Sequence, residues 1–147
     1  MTAYVLDASV AAKWFLPSSG EPFSSEARLI LIEHTAARCR LLVPDLFWPE
    51  VGNIFWKAVR QGRVQQPISE KAILALEQSG LTTVACLPLL KDAMSIARAF
   101  NRSVYDAIYV SLAIAAKAPF ITADERLANA LAARFPIRWL GTFPAYF

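Results

Sequence analysis

The first residues of the chain constrain its fold more than any other stretch. Segment 4–6 is a short apolar run that ends at Asp7 and is followed by the small residues Ala8 and Ser9. A run this short is typical of a buried strand rather than a helix. In open α/β sheets, ligands bind in the crevice beyond the carboxyl ends of the strands. Because an ionised carboxylate there is costly to desolvate without a cation or a donor, we expect Asp7 to face a binding crevice.

The rest of the chain alternates between helical and strand patterns. Short runs typical of strands recur at 40–43, 81–86, 120–122 and 137–140, and segments with helical periodicity separate them. We expect Asp45 and Ser69 to cap two of these helices. Strands separated by helical crossovers predict a parallel sheet that is covered on both faces. The sequence therefore predicts an α/β fold, a three-layer α/β/α domain around a mainly parallel sheet of four or five strands.

The length and composition indicate one domain with a substantial core. The chain has 147 residues, 56% of them hydrophobic, and its mean hydropathy is +0.37. We expect a single domain over residues 1–147, with a dense core or an apolar surface that contacts a partner. The longest stretch without a charge, 78–90, is too short to span a membrane. The N-terminus lacks a signal-peptide pattern, so we expect no membrane association and a cytoplasmic location.

The cysteine and histidine pattern does not indicate a transition-metal site. Cys39 and Cys86 lack the spacing of metal ligands, and without an export signal we expect both thiols to be buried and reduced. His34 is the one histidine, and its helical segment contains no second His or Cys. We therefore interpret His34 as a packed or solvated side chain.

Four carboxylates lie in apolar segments where a solvated charge is not expected: Asp7, Glu50, Asp106 and Asp124. Asp7 and Asp124 follow predicted strands, whereas Glu50 and Asp106 lie in the openings of predicted helices. Each also has a structural interpretation: Asp106 and Asp124 as acidic residues at helix starts, which gain about 0.3–1 kcal/mol, Glu50 as a solvated residue on an apolar turn, and Asp7 as a structural residue. Converging carboxylates without His or Cys favour Mg²⁺ or Mn²⁺. Such sites commonly catalyse phosphoryl transfer through a metal-activated water.

The segments around these four residues resemble conserved blocks of the PIN-domain family, specifically of the VapC toxins of prokaryotic toxin–antitoxin pairs. They read VLDASV from Val5, PEVGN from Pro49, YDAIYVSLA from Tyr105 and TADERL from Thr122, in this order over nearly the whole chain. This resemblance implies an endoribonuclease that depends on Mg²⁺ or Mn²⁺ and hydrolyses RNA phosphodiester bonds.

The resemblance also implies roles for individual residues and partners. The four carboxylates match the acidic catalytic and metal-binding positions of the family. Ser9 and Thr122 match hydroxyl residues that support the site through hydrogen bonds. VapC-like proteins typically form homodimers and are neutralised by a VapB-type antitoxin, whose tail lies across the active groove.

Basic residues are candidate contacts with an RNA backbone. The net charge is +3, and the excess of positive charge on the remaining surface is larger if the four carboxylates form one site. Lys57, Arg60 and Arg63 recur at every third position, and Lys13 follows closely after Asp7. Contacts of this kind hold RNA without reading its sequence. The alternative interpretation is an ordinary solvated basic face.

Two other functions remain open. A phosphatase of the haloacid dehalogenase type also has an aspartate after its first strand, but it needs an acid–base aspartate two residues later. This chain has Ser9 at that position. A non-catalytic binding module with the same fold would bind metal weakly and cleave no RNA.

Overall fold

The strands of the protein form one parallel sheet. The computed structural model describes residues 1–144, so residues 145–147 of the expected domain lie outside the described part. The strands are β1 (Thr2–Leu6), β2 (Cys39–Pro44), β3 (Thr82–Val84), β4 (Phe120–Thr122) and β5 (Ile137–Trp139). Their spatial order is β3-β2-β1-β4-β5, and every neighbouring pair is parallel. The prediction of an α/β fold with a parallel sheet of four or five strands is confirmed.

Helices connect the strands and cover both faces of the sheet. Within residues 1–144 they are α1 (Ala8–Ala11), α2 (Ser24–Thr35), α3 (Phe47–Arg60), α4 (Gln66–Glu77), α5 (Leu90–Phe100), α6 (Val104–Ala116) and α7 (Glu125–Leu131). Short 3₁₀ turns lie at Ala12–Trp14, Leu87–Leu89 and Leu140–Thr142. None of these helices has the length and hydrophobicity that crossing a membrane requires.

The alternating side chains of β1 divide the core between the two faces. Tyr4 and Leu6 pack on the face covered by α2, α3 and α4. Val5 points to the opposite face and packs against α6 and α7. This alternation is the two-residue period of a strand, and it produces the three predicted layers. Helix α5 packs on the outside of α6 through Ala93, Ala107 and Ile108.

The crevice that holds the site lies at the carboxyl ends of β1 and β4. β1 pairs with β2 on one side and with β4 on the other. The connections after β1 and β4 therefore run towards opposite halves of the sheet, which leaves a crevice between them. Asp7 directly follows β1, and Thr122 is the last residue of β4.

Two predicted helix caps are wrong. Asp45 precedes α3 without capping it, because its Oδ1 accepts a hydrogen bond from the Cys86 N–H at 3.1 Å. Ser69 lies inside α4, and its hydroxyl donates to the Gln66 carbonyl oxygen at 2.7 Å. Helix α4 begins earlier than predicted because Pro67 occupies its first turn, where proline needs no hydrogen-bond partner.

The cysteines and the histidine have structural environments. Both cysteines are free thiols, as expected, and Cys39 is buried. Cys86 is only half-buried, which corrects the prediction of two buried thiols. His34 lies against α4, and its Nε2 is 2.7 Å from the Ser79 carbonyl oxygen. His34 is therefore a packed side chain, as the sequence indicated.

Candidate active site

Asp7 lies where β1 ends and α1 begins. Its Oδ1 accepts a hydrogen bond from the Ser9 N–H at 3.4 Å and so caps α1. Its Oδ2 accepts a hydrogen bond from the Thr122 hydroxyl at 2.7 Å. Burial raises the pKa of Asp7 above its ordinary value, and these hydrogen bonds oppose the rise without cancelling it. The Asp7 carboxylate is thus firmly oriented, but its negative charge is poorly solvated.

Thr122 and Ser9 connect the Asp7 segment to the segment that begins α7. The Thr122 Oγ1 accepts a hydrogen bond from the Asp124 N–H at 3.0 Å while its own hydrogen points to Asp7. The Ser9 Oγ accepts a hydrogen bond from the Ala123 N–H at 3.3 Å. Because Thr122 is fully buried, its hydroxyl is held between these two partners. The structure therefore places both predicted supporting residues in contact with the predicted acidic segments.

Asp124 caps α7 at the outer edge of the crevice. Its Oδ1 accepts a hydrogen bond from the Leu127 N–H at 3.1 Å, and its side chain is exposed. The helix-capping interpretation from the sequence is therefore correct for this oxygen. The charge of Asp124 nevertheless extends into the crevice, because it contributes to raising the pKa of Asp106.

Glu50 lies in the first turn of α3 and faces α6. Its Oε1 accepts a hydrogen bond from the Tyr109 hydroxyl at 2.6 Å. Burial raises the pKa of Glu50, and the negative charges of Asp7 and Asp106 add to the rise. The hydrogen bond from Tyr109 opposes it, since it stabilises the ionised form.

Asp106 lies in the first turn of α6. Ser103 caps this helix, because its Oγ accepts a hydrogen bond from the Asp106 N–H at 3.0 Å. The Asp106 Oδ2 is 3.5 Å from Nη2 of Arg102. Burial raises the pKa of Asp106, as does the charge of Asp124, whereas Arg102 opposes the rise.

The four predicted acidic residues are electrostatic neighbours in one crevice. The charge of Asp106 contributes to raising the pKa of Asp7, and the charges of both contribute to raising the pKa of Glu50. The charge of Asp124 contributes in the same way to the pKa of Asp106. Each carboxylate comes from a different segment, at the starts of α1, α3, α6 and α7. The tertiary structure thus brings together residues that are distant in sequence.

The donor set fits a hard divalent cation without forming a closed cage. Within residues 1–144, no three Asp, Glu, His or Cys side chains are grouped so that they could hold a metal ion among them. Mg²⁺ is usually held by one or two carboxylates, with water or substrate as the other ligands. The oxygen-only set in the crevice suits an ion of that kind.

Sequence reasoning missed three residues that contact the acidic side chains: Arg102, Ser103 and Tyr109. All three lie three or four residues from Asp106, the spacing of neighbours on a helix. Ser103 with Asp106 also has the spacing of a capping box. A search for polar residues three or four positions from Asp106 would have listed all three, but it would not have shown that Tyr109 contacts Glu50.

Lys13 is not available to an RNA phosphate, so that prediction is wrong. Its side chain is only 6% exposed, and its ammonium contacts Glu21 Oε1 at 2.7 Å and the Pro22 carbonyl oxygen at 2.8 Å. Arg63 contacts the other Glu21 oxygen at 2.8 Å. The Lys13 ammonium is therefore used inside the protein, whereas Arg63 pairs with Glu21 at the surface. Lys57 and Arg60 are exposed near the end of α3.

A family model described as the PIN domain matches residues 4–131. The chain belongs to the PIN domain family. Ribonuclease VapC3 of Pyrobaculum aerophilum is 30% identical to this PIN domain over 128 residues, which are 85% of this chain and 92% of that protein. The predicted resemblance to PIN-domain proteins of the VapC type is thereby confirmed.

Solved structures share the fold of this PIN domain. A crystal structure of a Pyrobaculum aerophilum protein aligns with a TM-score of 0.70 at 22% identity, covering 96% of this chain and 91% of that one. A chain in a toxin–antitoxin complex from Klebsiella pneumoniae aligns with a TM-score of 0.63 at 16% identity, covering 92% of this chain and 95% of that one. At these identities the two alignments show a common fold.

Proposed function

We propose that this PIN-domain protein is a metal-dependent endoribonuclease and the toxin of a VapBC-type toxin–antitoxin pair. The observation that carries the proposal is that Asp7, Glu50, Asp106 and Asp124 lie around one crevice at the carboxyl ends of β1 and β4, where Thr122 of β4 holds Asp7, although no three of them form a closed metal cage within residues 1–144. The ribonuclease name of the Pyrobaculum relative supports RNA as the substrate. The Klebsiella toxin–antitoxin complex supports an antitoxin partner.

In this proposal the acidic residues hold Mg²⁺ or Mn²⁺ and Asp7 and Asp106 are its main ligands. When bound, such a cation lowers the pKa of a water molecule and offsets the charge of the phosphodiester. Glu50 completes the set from α3, and Asp124 contributes from the rim. Thr122 and Ser9 hold the Asp7 carboxylate and the start of α7 in place. Without a cation the carboxylates repel an RNA phosphate, so metal and RNA should bind cooperatively.

The second candidate function is a non-catalytic binding module. The observation that favours it is the separation of the carboxylates, which leaves no closed cage within residues 1–144. The phosphatase alternative has less support, because Ser9 accepts a backbone hydrogen bond where an acid–base aspartate is needed. A homodimer and a cytoplasmic location remain proposals that follow from family membership and the RNA substrate.

Cleavage of structured RNAs tests the proposal directly. Purified protein is incubated with transfer, ribosomal and messenger RNAs in Mg²⁺, in Mn²⁺ and in EDTA. We expect cleavage only with metal, and a loss of more than about 100-fold in Asp7→Asn and Asp106→Asn, because changes to residues that merely support ligands already cost up to that factor. Glu77→Gln, an exposed acid on α4, is the matched control and should cleave normally.

Three outcomes separate the candidate functions. Cleavage that persists in EDTA or in Asp106→Asn contradicts the assigned site. Mn²⁺ binding without cleavage of any RNA favours the binding module. For the toxin assignment, expression of the wild-type chain should slow host growth and Asp106→Asn should not, so equal growth of the two cultures contradicts it.

A further inference from the structure

We propose that Tyr109 is the positioning residue of this site, whose hydroxyl orients the Glu50 carboxylate and thereby sets the affinity for the divalent cation. The inference rests on the proposed function, because it takes these carboxylates as ligands of the cation. Tyr109 itself acts through Glu50 and has no direct contact with substrate in this scheme.

The Tyr109 hydroxyl lies at the junction of three segments. It donates to Glu50 Oε1 at 2.6 Å, and it also interacts with the backbone N–H of Ala8. Ala8 follows Asp7 directly, and Tyr109 lies one turn after Asp106 on α6. The hydrogen bond therefore joins α6 to α3, each of which contributes one carboxylate to the crevice, and the same hydroxyl lies near the start of α1.

The core of the protein fixes the position of this hydroxyl. Tyr109 is only 2% exposed, and its ring stacks on Phe120 of β4 with the centroids 5.0 Å apart and the planes 14° from parallel. Such a ring cannot swing away from Glu50 without disturbing the sheet. A tyrosine hydroxyl has an ordinary pKa of about 10 and is therefore a hydrogen-bond donor at neutral pH.

The hydrogen bond from Tyr109 determines which oxygen atom of Glu50 is free to bind a cation. With Oε1 engaged by Tyr109, Glu50 offers Oε2 as its remaining ligand atom. Without this hydrogen bond, the half-buried side chain of Glu50 would sample several rotamers. Partners that orient a ligand in this way typically contribute 10–100-fold to metal affinity or activity.

Tyr109→Phe tests the inference with a minimal change. The variant keeps the ring and its contact with Phe120 and removes only the hydroxyl. We expect Mn²⁺ binding, measured by electron paramagnetic resonance of the free ion, to weaken by about 10–100-fold. Tyr105→Phe is the matched control, because Tyr105 is on the same helix with its side chain 62% exposed. It should bind Mn²⁺ like the wild type, and thermal unfolding checks that each variant is folded.

The Glu50→Ala background shows whether Tyr109 acts through Glu50. There Tyr109→Phe should cause no further loss of Mn²⁺ affinity, since no carboxylate is left to orient. An equal loss in both backgrounds overturns the inference, and so does wild-type affinity in Tyr109→Phe itself. A change in thermal stability with unchanged Mn²⁺ affinity assigns Tyr109 a structural role only and also overturns it. A wild-type protein that binds no Mn²⁺ overturns the proposed metal site, which is a different result.

Discussion

Arg102 opposes the effect of burial on Asp106. Its Nη2 is 3.5 Å from Asp106 Oδ2, and the two side chains are 24% and 33% exposed. Burial raises the pKa of Asp106, and the guanidinium limits that rise, although partial exposure lets solvent weaken the pair. Arg102 therefore keeps Asp106 ionised to a lower pH than burial alone would allow.

Arg102→Gln should move the acidic limb of the activity profile. Without the guanidinium the pKa of Asp106 rises further, so the ionised form that holds the cation appears only at higher pH. The measurement is RNA cleavage as kcat/KM against pH for the wild type, Arg102→Gln and Arg98→Gln. Arg98 is an exposed arginine of α5, and its variant should retain the wild-type profile. An unshifted limb in Arg102→Gln would show that the ion pair has no effect in solution.

At the scale of elements, α3 links the crevice to a basic surface. Glu50 lies in its first turn, whereas Lys57 and Arg60 lie in its last turn and are exposed. The ten residues from Glu50 to Arg60 rise by about 15 Å along the helix. The Arg60 guanidinium also lies over the exposed ring of Trp56, at 5.9 Å from its centroid. We expect an RNA strand bound in the crevice to extend along α3 towards these cations.

Salt dependence of RNA binding tests this path. The double change Lys57→Gln and Arg60→Gln should weaken binding and reduce the slope of log K against log salt by about 0.7 for each lost contact with a single strand. Fluorescence anisotropy in an Asp7→Asn background avoids cleavage during the titration. Lys71→Gln, at an exposed lysine of α4, is the control and should keep the full slope. An unchanged slope in the double variant would show that Lys57 and Arg60 do not contact RNA and form an ordinary solvated basic face.

The loop after α1 is attached to the end of α3 by ion pairs rather than by apolar contacts. Burial opposes ionisation of Glu21, but its contacts with Lys13 and Arg63 outweigh burial and lower the pKa of Glu21. Removal of Glu21 would leave the buried charge of Lys13 without its carboxylate partner. This arrangement explains why Lys13, one of the predicted RNA-binding cations, is unavailable to substrate, and why Arg63 is already paired.

At the scale of the whole molecule, the buried carboxylates of the crevice lower the free energy of unfolding when they are ionised. Burial raises the pKa values of Asp7, Glu50 and Asp106, so the folded state binds protons more tightly than the unfolded chain. The free energy of unfolding therefore falls as the pH rises from the ordinary values of 3.8 and 4.5 through the raised ones. Glu21 has a lowered pKa, so its contribution to the free energy of unfolding is lost as the pH falls below its ordinary pKa of 4.5.

The metal-free protein should become more stable as the pH falls from neutral through the raised pKa values of Asp7, Glu50 and Asp106 towards their ordinary values of 3.8 and 4.5. Thermal unfolding in EDTA measures this, and Asp7→Asn should raise Tm at neutral pH by roughly 2–4 °C per kcal/mol recovered and flatten the pH dependence. Mn²⁺ should raise the wild-type Tm at neutral pH, because it binds the folded state. Glu77→Gln again serves as the control. A Tm that falls steadily on acidification would show that other groups dominate.

The sequence by itself indicated the layers of the fold and singled out the four acidic residues as candidates. The apolar run before Asp7 and the strand at 120–122 are fixed by local hydrophobicity, and their two-residue period decides which side chains face each layer. Asp7 and Asp124 were recognisable because a charge directly after a buried strand is unusual. The helix starts were less predictable, since α4 begins at Gln66, with Pro67 in its first turn, and is not capped by Ser69.

Only the tertiary structure decided the partners of the polar side chains. Tyr109 and Glu50 are 59 residues apart, Asp45 and Cys86 are 41 apart, and Arg63 and Glu21 are 42 apart. Each pair joins segments that only the folded chain brings together, and a local pattern carries no information about that meeting. Lys13 shows the consequence, because its charge suggested an RNA contact until packing placed it beside Glu21. Hydrophobic periodicity is a property of short segments, whereas the neutralisation of a buried charge depends on the whole fold.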